Sequence, residues 1–224
     1  MQFNLVNDWR EGELILSKRI QDELKNKKVL WLVSGGSNIE VSVSTANSLP
    51  VELTKKLTIA LVDERYGEVS HPYSNWHQLL KSGFKAGDAK LIPVLKSGLN
   101  LEGTVKLYDS QIENAFNANE IVIAQLGIGD DGHVAGILPK SPATKDIADN
   151  VVGYVSDPYK RITLTFSALR QIDTAYIFAF GENKKTALAN LKNSTISKEI
   201  QPAQIIKELS ESYIFNDQLG DKNV

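Results

Sequence analysis

The sequence contains no cysteine, which excludes disulfide bonds, thiolate catalysis and cysteine-based zinc sites. It also lacks an excess of either charge, since 25 basic and 27 acidic residues give a net charge of −2 and no basic run indicates binding to nucleic acid or an anionic membrane. No apolar stretch approaches the ~18 residues of a membrane span, and the N-terminus lacks the basic and apolar blocks of a signal peptide. We therefore expect a cytoplasmic protein with no nucleic-acid or membrane partner.

The remaining composition is that of an ordinary globular protein. Of the 224 residues, 42% are hydrophobic and 23% are charged, and a chain of this size can bury roughly 70% of its unfolded surface without a metal or a cross-link. We find no internal repeat, low-complexity tract or linker. Residues 1–224 are therefore expected to form one α/β domain.

Apolar runs of strand length alternate with amphipathic segments of helix length. The four apolar runs are 29–33, 57–62, 121–126 and 174–180, and residues 151–166 predict two more strands around Asp157-Pro158. The predicted helices are 8–26, 38–48, 75–82, 101–117, 183–193 and 202–209. Because strands that are apolar on both faces are typical of covered parallel sheets, we predict a Rossmann-like fold, with a parallel-sheet core and helices on both faces.

A polar loop follows each of the four apolar runs. In open α/β sheets, ligands bind in the crevice beyond the carboxyl ends of the strands. Four polar loops at four such ends are therefore expected to converge on one site.

The first of these loops is Ser34-Gly35-Gly36-Ser37. Glycine lets the backbone approach a ligand closely, and the free N–H groups of the following helix favour an anion such as phosphate. The same residues suit a tight turn that needs glycine for its dihedral angles, so the loop alone leaves both interpretations open.

Cationic side chains follow two of the other runs, and one more opens a predicted strand. The guanidinium of Arg65, in Asp63-Glu64-Arg65, matches the geometry of phosphate oxygens, and an adjacent acid can orient the arginine or a substrate hydroxyl. Arg161 and Lys184 are further candidates for holding phosphate. All of these residues also suit a solvated, salt-bridged surface.

The loop at residues 127–133 matches the G-x-G-x-x-G pattern of dinucleotide sites. We reject that interpretation because Asp130 and Asp131 would repel a pyrophosphate and Pro139 leaves little room for the long first helix. Asp131 and His133 instead suit an acid–base pair in which the carboxylate fixes the imidazole tautomer. The alternative is a glycine-rich turn with an exposed histidine. A metal site is disfavoured because the chain has three histidines and no familiar ligand spacing.

Together, these stretches resemble the 6-phosphogluconolactonase family, within the wider group of sugar-phosphate isomerase-like proteins. The matching stretches lie in order at 34–37, 62–65, 74–75, 126–139, 161–165 and 181–184. The resemblance implies a Rossmann-like α/β fold, hydrolysis of 6-phospho-D-glucono-1,5-lactone in the oxidative pentose phosphate pathway, and no metal or organic cofactor.

The resemblance also assigns roles to individual residues. His133, oriented by Asp131, would act as the general base on water. The expected substrate and phosphate ligands are Gly35, Gly36, Ser37, Asp63, Arg65, Asn75, Arg161 and Lys184. A sugar-phosphate lactone is the expected small-molecule partner, and a monomer and a homodimer both remain open.

The chain departs from the family pattern at three places. Val134 stands where a threonine is usual, and the segment from Gly136 to Pro139 replaces Ser-Leu-Phe-Pro. Asn38-Ile39 replaces Thr-Pro after the glycine loop, although Ser37 keeps the serine that favours anion binding. Loss of the threonine hydroxyl is expected to weaken a hydrogen bond in the site or the support of His133.

Two other functions are compatible with this fold. Glucosamine-6-phosphate deaminase/isomerases share the Asp-Gly-His loop, but they typically follow it with Asn-Glu-Pro and carry Asp-Glu-Tyr where this chain has Asp63-Glu64-Arg65. A non-catalytic sugar-phosphate-binding domain is the second alternative. Retention of both Asp131 and His133 favours catalysis over binding alone.

Overall fold

A computed structural model describes residues 1–220 of the chain. Its strands are β1 (Gln2–Leu5), β2 (Val29–Val33), β3 (Leu57–Leu61), β4 (Asp63–Tyr66), β5 (Lys90–Ile92), β6 (Ile121–Gly127), β7 (Val151–Val155), β8 (Lys160–Leu164), β9 (Thr174–Ala179) and β10 (Glu211–Asn216). Its α-helices are α1 (Trp9–Leu24), α2 (Ile39–Ser48), α3 (Asn75–Lys81), α4 (Leu101–Ala118), α5 (Phe166–Leu169) and α6 (Lys185–Asn193).

Seven strands form the central sheet, in the order β1-β10-β9-β6-β2-β3-β5. All neighbouring strands in it are parallel. Every residue of β2, β3 and β9 is buried, as expected for strands covered on both faces by helices and loops. The predicted α/β class and the four apolar strands are confirmed.

A second sheet of three antiparallel strands, in the order β4-β8-β7, lies beside the carboxyl end of β3. The two strands predicted around Asp157-Pro158 are β7 and β8. The interpretation of Asp63-Glu64-Arg65 as a loop was wrong, because these residues form β4 and pair with β8. Val62 connects the sheets, since its N–H donates to Val33 and its carbonyl accepts from Leu164.

The sequence interpretation also missed three strands of the central sheet. Two of them, β1 and β5, are edge strands of only four and three residues, with exposed polar or charged side chains among them. Residues 202–208, predicted as part of a helix, form a 3₁₀ helix in which the first five residues are all buried. A segment buried all round has no amphipathic period, so the pattern at 202–209 did not specify the helix type.

No helix within residues 1–220 is long and apolar enough to cross a membrane. The expectation of one domain over residues 1–224 stays a prediction.

Candidate active site

A cavity of about 240 Å³ opens at the carboxyl ends of the central strands. It is lined by Ser34, Gly35, Gly36, Ser37, Asn38, Asp63, Arg65, Asn75, Gly127, Ile128, Gly129, His133, Ala135, Arg161 and Lys184. Nine of the ten residues predicted for the site therefore meet in one place. The tenth, Asp131, lies behind His133 and contacts its ring.

The glycine loop presents free backbone donors to this cavity. Gly36 has φ +64°, a left-handed conformation that glycine adopts without strain, and the loop continues into a short 3₁₀ turn before α2. Within the described chain, the N–H groups of Gly35, Gly36 and Ser37 donate to no protein acceptor. Unpaired N–H groups that converge from a turn favour an anion.

A buried network below the loop fixes its position. The side-chain oxygen of Gln125, on β6, accepts from the N–H of Ser34 at 3.1 Å and from the hydroxyl of Ser42 at 2.8 Å. The Ser34 hydroxyl in turn donates to the Gln125 carbonyl at 3.0 Å. The glycine loop is thus tied to β6, which also carries the loop with His133.

The β4–β8 ladder aims two arginines at the cavity. Arg65 and Arg161 are directly opposite partners in the antiparallel register, so their side chains leave the same face of the small sheet. Asp63, two residues before Arg65, shares that face and lines the same cavity. Glu64 points to the other face.

Hydrogen bonds fix the side chain of Arg65 but not that of Arg161. The Nη1 atom of Arg65 donates to Oδ1 of Asn75 at 2.7 Å and to the carbonyl of Tyr73 at 3.2 Å. The Nδ2 atom of Asn75 donates to the carbonyl of Asp63 at 2.9 Å. Among the described residues, the guanidinium of Arg161 has no hydrogen-bond or ion-pair partner, and its Nε is shielded from solvent. The residue as a whole is partly exposed, and a partly desolvated guanidinium without a partner favours an anion.

Glu64 anchors the start of α3 beneath the arginines. Its carboxylate accepts from the backbone N–H groups of Arg65, Asn75 and Trp76 and from the hydroxyl of Ser74. The side chain is fully buried, and burial raises the pKa of Glu64 despite these donors. Glu64 does not line the cavity, but its hydrogen bonds hold Arg65 and Asn75 in position there.

His133 and Asp131 form the predicted pair. Nδ1 of His133 lies 2.7 Å from Oδ1 of Asp131, and the same oxygen accepts the backbone N–H of His133 at 3.0 Å. Partial burial raises the pKa of Asp131, but the hydrogen bonds from the ring and backbone of His133 outweigh it and hold that pKa below its usual value. Asp131 therefore stays ionised at neutral pH and can hold the imidazole with Nε2 turned to solvent or substrate.

The charges around the cavity favour an anionic ligand. Arg65, Arg161 and Lys184 line it, and Asp63 is the one carboxylate among the lining residues. Within residues 1–220, Lys184 forms no ion pair. No group of three or more His, Cys, Asp or Glu in that part of the chain could hold a metal ion.

Six lining residues were not among the predicted site residues: Ser34, Asn38, Gly127, Ile128, Gly129 and Ala135. Asn38 is only 5% exposed, and a Cβ atom on Gly127 would overlap its side-chain amide. This amide has no hydrogen-bond partner among the described residues. The 3₁₀ turn that brings Asn38 to the cavity has no sequence signal beyond the adjacent glycines. Ala135 adopts φ +51°, a conformation unusual for alanine.

Val134 and Gly136, two residues at which the chain departs from the family pattern, do not line the cavity. Val134 is fully buried and bridges Ile128 and Ile137. The N–H of Gly136 donates to Oγ1 of Thr163 at 3.0 Å, and its carbonyl accepts from the hydroxyl of Tyr154 at 2.6 Å. These residues join the histidine loop to the small sheet.

Comparisons with known proteins identify related sequences and a related fold. A family model described as glucosamine-6-phosphate isomerases/6-phosphogluconolactonase matches residues 12–215. A 6-phosphogluconolactonase from Borreliella burgdorferi is 30% identical over 161 residues, which are 66% of each chain. One from Neisseria meningitidis is 30% identical over 74% of this chain and 75% of its own length. The structure of a 6-phosphogluconolactonase from Shewanella baltica superposes with a TM-score of 0.83 at 20% identity, covering 96% of this chain and 97% of that one, and so shows the same fold.

Proposed function

The chain belongs to the family of glucosamine-6-phosphate isomerases and 6-phosphogluconolactonases, and from this premise we propose that it hydrolyses 6-phospho-D-glucono-1,5-lactone to 6-phospho-D-gluconate. The observation that carries the proposal is the Asp131–His133 pair at the rim of a cationic cavity. This arrangement supplies a base for water and a receptor for phosphate. The reaction belongs to the oxidative pentose phosphate pathway, and its cytoplasmic location stays a prediction.

Phosphate binding is assigned to the cationic wall and the glycine loop. Arg65, Arg161 and Lys184 provide charge, and the N–H groups of Gly36 and Ser37 provide directed donors. The oxygens of the 6-phosphate accept from these groups, which fixes one end of the substrate. Asp63 and Asn75 line the same cavity and are assigned to substrate binding.

Hydrolysis is assigned to His133. With its Nδ1 proton donated to Asp131, the ring leaves Nε2 as a base that takes a proton from water. The water oxygen bonds to the lactone C1, and the carbonyl oxygen becomes an oxyanion that backbone N–H groups of a glycine loop stabilise. As the bond between C1 and the ring oxygen breaks, His133 returns the proton to that ring oxygen. The product is the open-chain acid.

This chain lacks a residue that the isomerase reaction uses. Ile137-Leu138-Pro139 stands where those enzymes carry a glutamate for ring opening. Ile137 is fully buried and outside the cavity lining, so it does not replace that carboxylate.

The test is lactone hydrolysis. 6-Phosphogluconolactone is generated in situ by glucose-6-phosphate dehydrogenase, and its decay is followed with and without the protein after spontaneous opening is subtracted. Accelerated decay at catalytic protein concentrations supports the proposal. Conversion of glucosamine 6-phosphate without lactone decay assigns the chain to the isomerase branch, and sugar-phosphate binding without either reaction assigns it to binding alone.

The variant His133→Ala tests the assigned base. It is expected to lower turnover by roughly 10²–10⁴-fold, the usual contribution of general acid–base catalysis, while affinity for 6-phosphogluconate in calorimetry is kept. His77→Ala is the matched control because His77 lies on α3 outside the cavity lining. Wild-type turnover in His133→Ala would show that another group acts as the base.

A further inference from the structure

Asn38 is a buried residue of the cavity wall whose side-chain amide is unpaired. The residue is only 5% exposed and lines the cavity. Within residues 1–220, its hydrogen bonds all involve the backbone, and neither atom of the amide has a partner. The amide is also not enclosed by protein, because it is absent from the described polar atoms that are shielded from solvent without a partner. A buried amide with this surrounding favours a hydrogen-bonding ligand in the cavity.

The backbone of Asn38 is held in place although its side chain is free. Its carbonyl accepts from the hydroxyl of Ser42 and from Nε2 of Gln125, both at 3.3 Å. Its N–H donates to the carbonyl of Gly35 at 3.4 Å. The network that fixes the glycine loop therefore also fixes Asn38. A donor on a fixed backbone is preorganised, which is what stabilisation of a developing charge requires.

The amide lies beside the loop that carries His133. Nδ2 of Asn38 packs over Gly127, since a Cβ atom on Gly127 would overlap it. Gly127 ends β6, and Gly129 packs against the imidazole of His133 in the same way. Both glycines line the cavity. The free amide and the proposed base therefore border the same short segment of chain.

A neutral donor at this position suits the lactone end of the substrate better than the phosphate end. Arg65, Arg161 and Lys184 already bring positive charge to the cavity for the phosphate. Hydrolysis also needs donors for the oxyanion that forms at C1, and asparagine side chains supply such donors in acyl-transfer enzymes. Asn38 has the donor, the fixed backbone and the place beside His133 that this role requires.

We propose that Nδ2 of Asn38 donates a hydrogen bond to the C1 carbonyl oxygen of the lactone, and that this bond strengthens as the oxygen becomes an oxyanion. This role rests on the proposed lactone hydrolysis. When the water oxygen bonds to C1, an electron pair of the C=O bond moves to the carbonyl oxygen, and Asn38 stabilises it while keeping its own protons. When the bond between C1 and the ring oxygen breaks, the pair returns and the C=O bond forms again.

Two substitutions of Asn38 test the donor. Asn38→Ala removes the amide, whereas Asn38→Asp keeps its size and an acceptor but loses both N–H donors and adds a charge that repels the oxyanion. Both are expected to lower kcat by about 10²-fold or more, the usual effect of removing one oxyanion donor, with KM changed by less than about fivefold. Steady-state hydrolysis of 6-phosphogluconolactone generated in situ measures both constants.

Binding measurements separate the C1 end of the ligand from its phosphate. 6-Phosphogluconate carries a carboxylate at C1, so its affinity for Asn38→Ala in calorimetry is expected to fall about 10-fold. Competition by inorganic phosphate is expected to stay at the wild-type level. Asn114→Ala is the matched control, because Asn114 is exposed on α4 and does not line the cavity. Urea unfolding checks that each variant is folded.

The outcomes distinguish this role from the proposed function. A wild-type chain that does not accelerate lactone decay would contradict the proposed function and the role of Asn38 together. An active wild type whose kcat survives both Asn38→Ala and Asn38→Asp would overturn the role of Asn38 alone. Weaker competition by inorganic phosphate in Asn38→Ala, or an unchanged affinity for 6-phosphogluconate, would likewise exclude a contact with the oxygen at C1.

Discussion

One carboxylate oxygen of Asp131 holds His133 at two points, since Oδ1 lies 2.7 Å from ring Nδ1 and accepts the backbone N–H at 3.0 Å. Two contacts to one oxygen fix both the loop and the ring. Gly129 makes room for this arrangement, because a Cβ atom at that position would overlap the imidazole. The second glycine of the G-x-G pattern thus makes room for the contact between Asp131 and His133, where a dinucleotide fingerprint would place a phosphate.

Asp131→Asn is expected to lower kcat by about 10²-fold, within the range for general acid–base catalysis, with KM close to wild type. The amide is nearly the same size but can donate to Nδ1, which stabilises the tautomer with the wrong nitrogen protonated. Steady-state lactone hydrolysis measures both constants. Asp130→Asn is the control, because Asp130 has no contact with the His133 ring and does not line the cavity. An unchanged kcat in Asp131→Asn would remove Asp131 from the mechanism.

Arg161→Ala is expected to raise KM about 10- to 100-fold with a smaller change in kcat, because a charge-assisted bond to phosphate is lost. Arg161→Lys keeps the charge but loses the planar guanidinium, so its KM should lie between those of the wild type and Arg161→Ala. The direct measurement is competition by inorganic phosphate, which should weaken in parallel with KM. Arg10→Ala serves as control because Arg10 is exposed and pairs with Asp8. Unchanged phosphate competition in Arg161→Ala would exclude Arg161 as a ligand.

The four apolar strands could be predicted because a strand that is buried on both faces has a continuous run of hydrophobic residues. This run can be recognised without knowing which strand it pairs with. Their carboxyl ends then bring the loops together, which is why the residues proposed at 35–37, 131, 133 and 184 could be grouped from sequence alone. The predicted roles of these residues remain to be tested.

β4 could not be predicted in the same way. Its residues are polar, and its strand conformation comes from pairing with β8, about a hundred residues later in the chain. The buried carboxylate of Glu64 is tolerated because the N–H groups of Asn75 and Trp76 reach it from the start of α3. Neither partner is apparent from the local sequence. Once β4 is known, period-two alternation assigns Asp63 and Arg65 to the cavity and Glu64 to the interior.

Val134→Thr restores the residue usual in the resembling family, and it is expected to destabilise the protein by about 1–2 kcal/mol without raising kcat. Val134 is fully buried beside Ile128 and Ile137 and does not line the cavity, so the new hydroxyl is desolvated without reaching substrate. Urea unfolding and lactone hydrolysis measure the two effects. Val155→Thr, at a 75% exposed valine, is the control for the substitution itself. A clear gain in kcat would show that position 134 supports the chemistry.

Glu64→Gln is expected to change how stability depends on pH. Burial raises the pKa of Glu64 above its ordinary value of 4.5 in the folded protein. The folded state therefore binds this proton more tightly than the unfolded state, so the contribution of Glu64 to stability is complete below pH 4.5 and is lost as pH rises through the folded-state pKa. Glutamine does not titrate, so the stability of the variant lacks this pH-dependent contribution.

Urea unfolding of wild type and Glu64→Gln at intervals between pH 4 and pH 7 isolates the effect, because the other titrating groups cancel in the difference. The free energy of unfolding of the wild type, relative to the variant, should fall as pH rises. Glu102→Gln provides a control of opposite sign, since the ion pair with Lys106 lowers the pKa of Glu102 on the exposed face of α4. A wild-type advantage that grows with pH would mean that the four donors around Glu64 outweigh its burial.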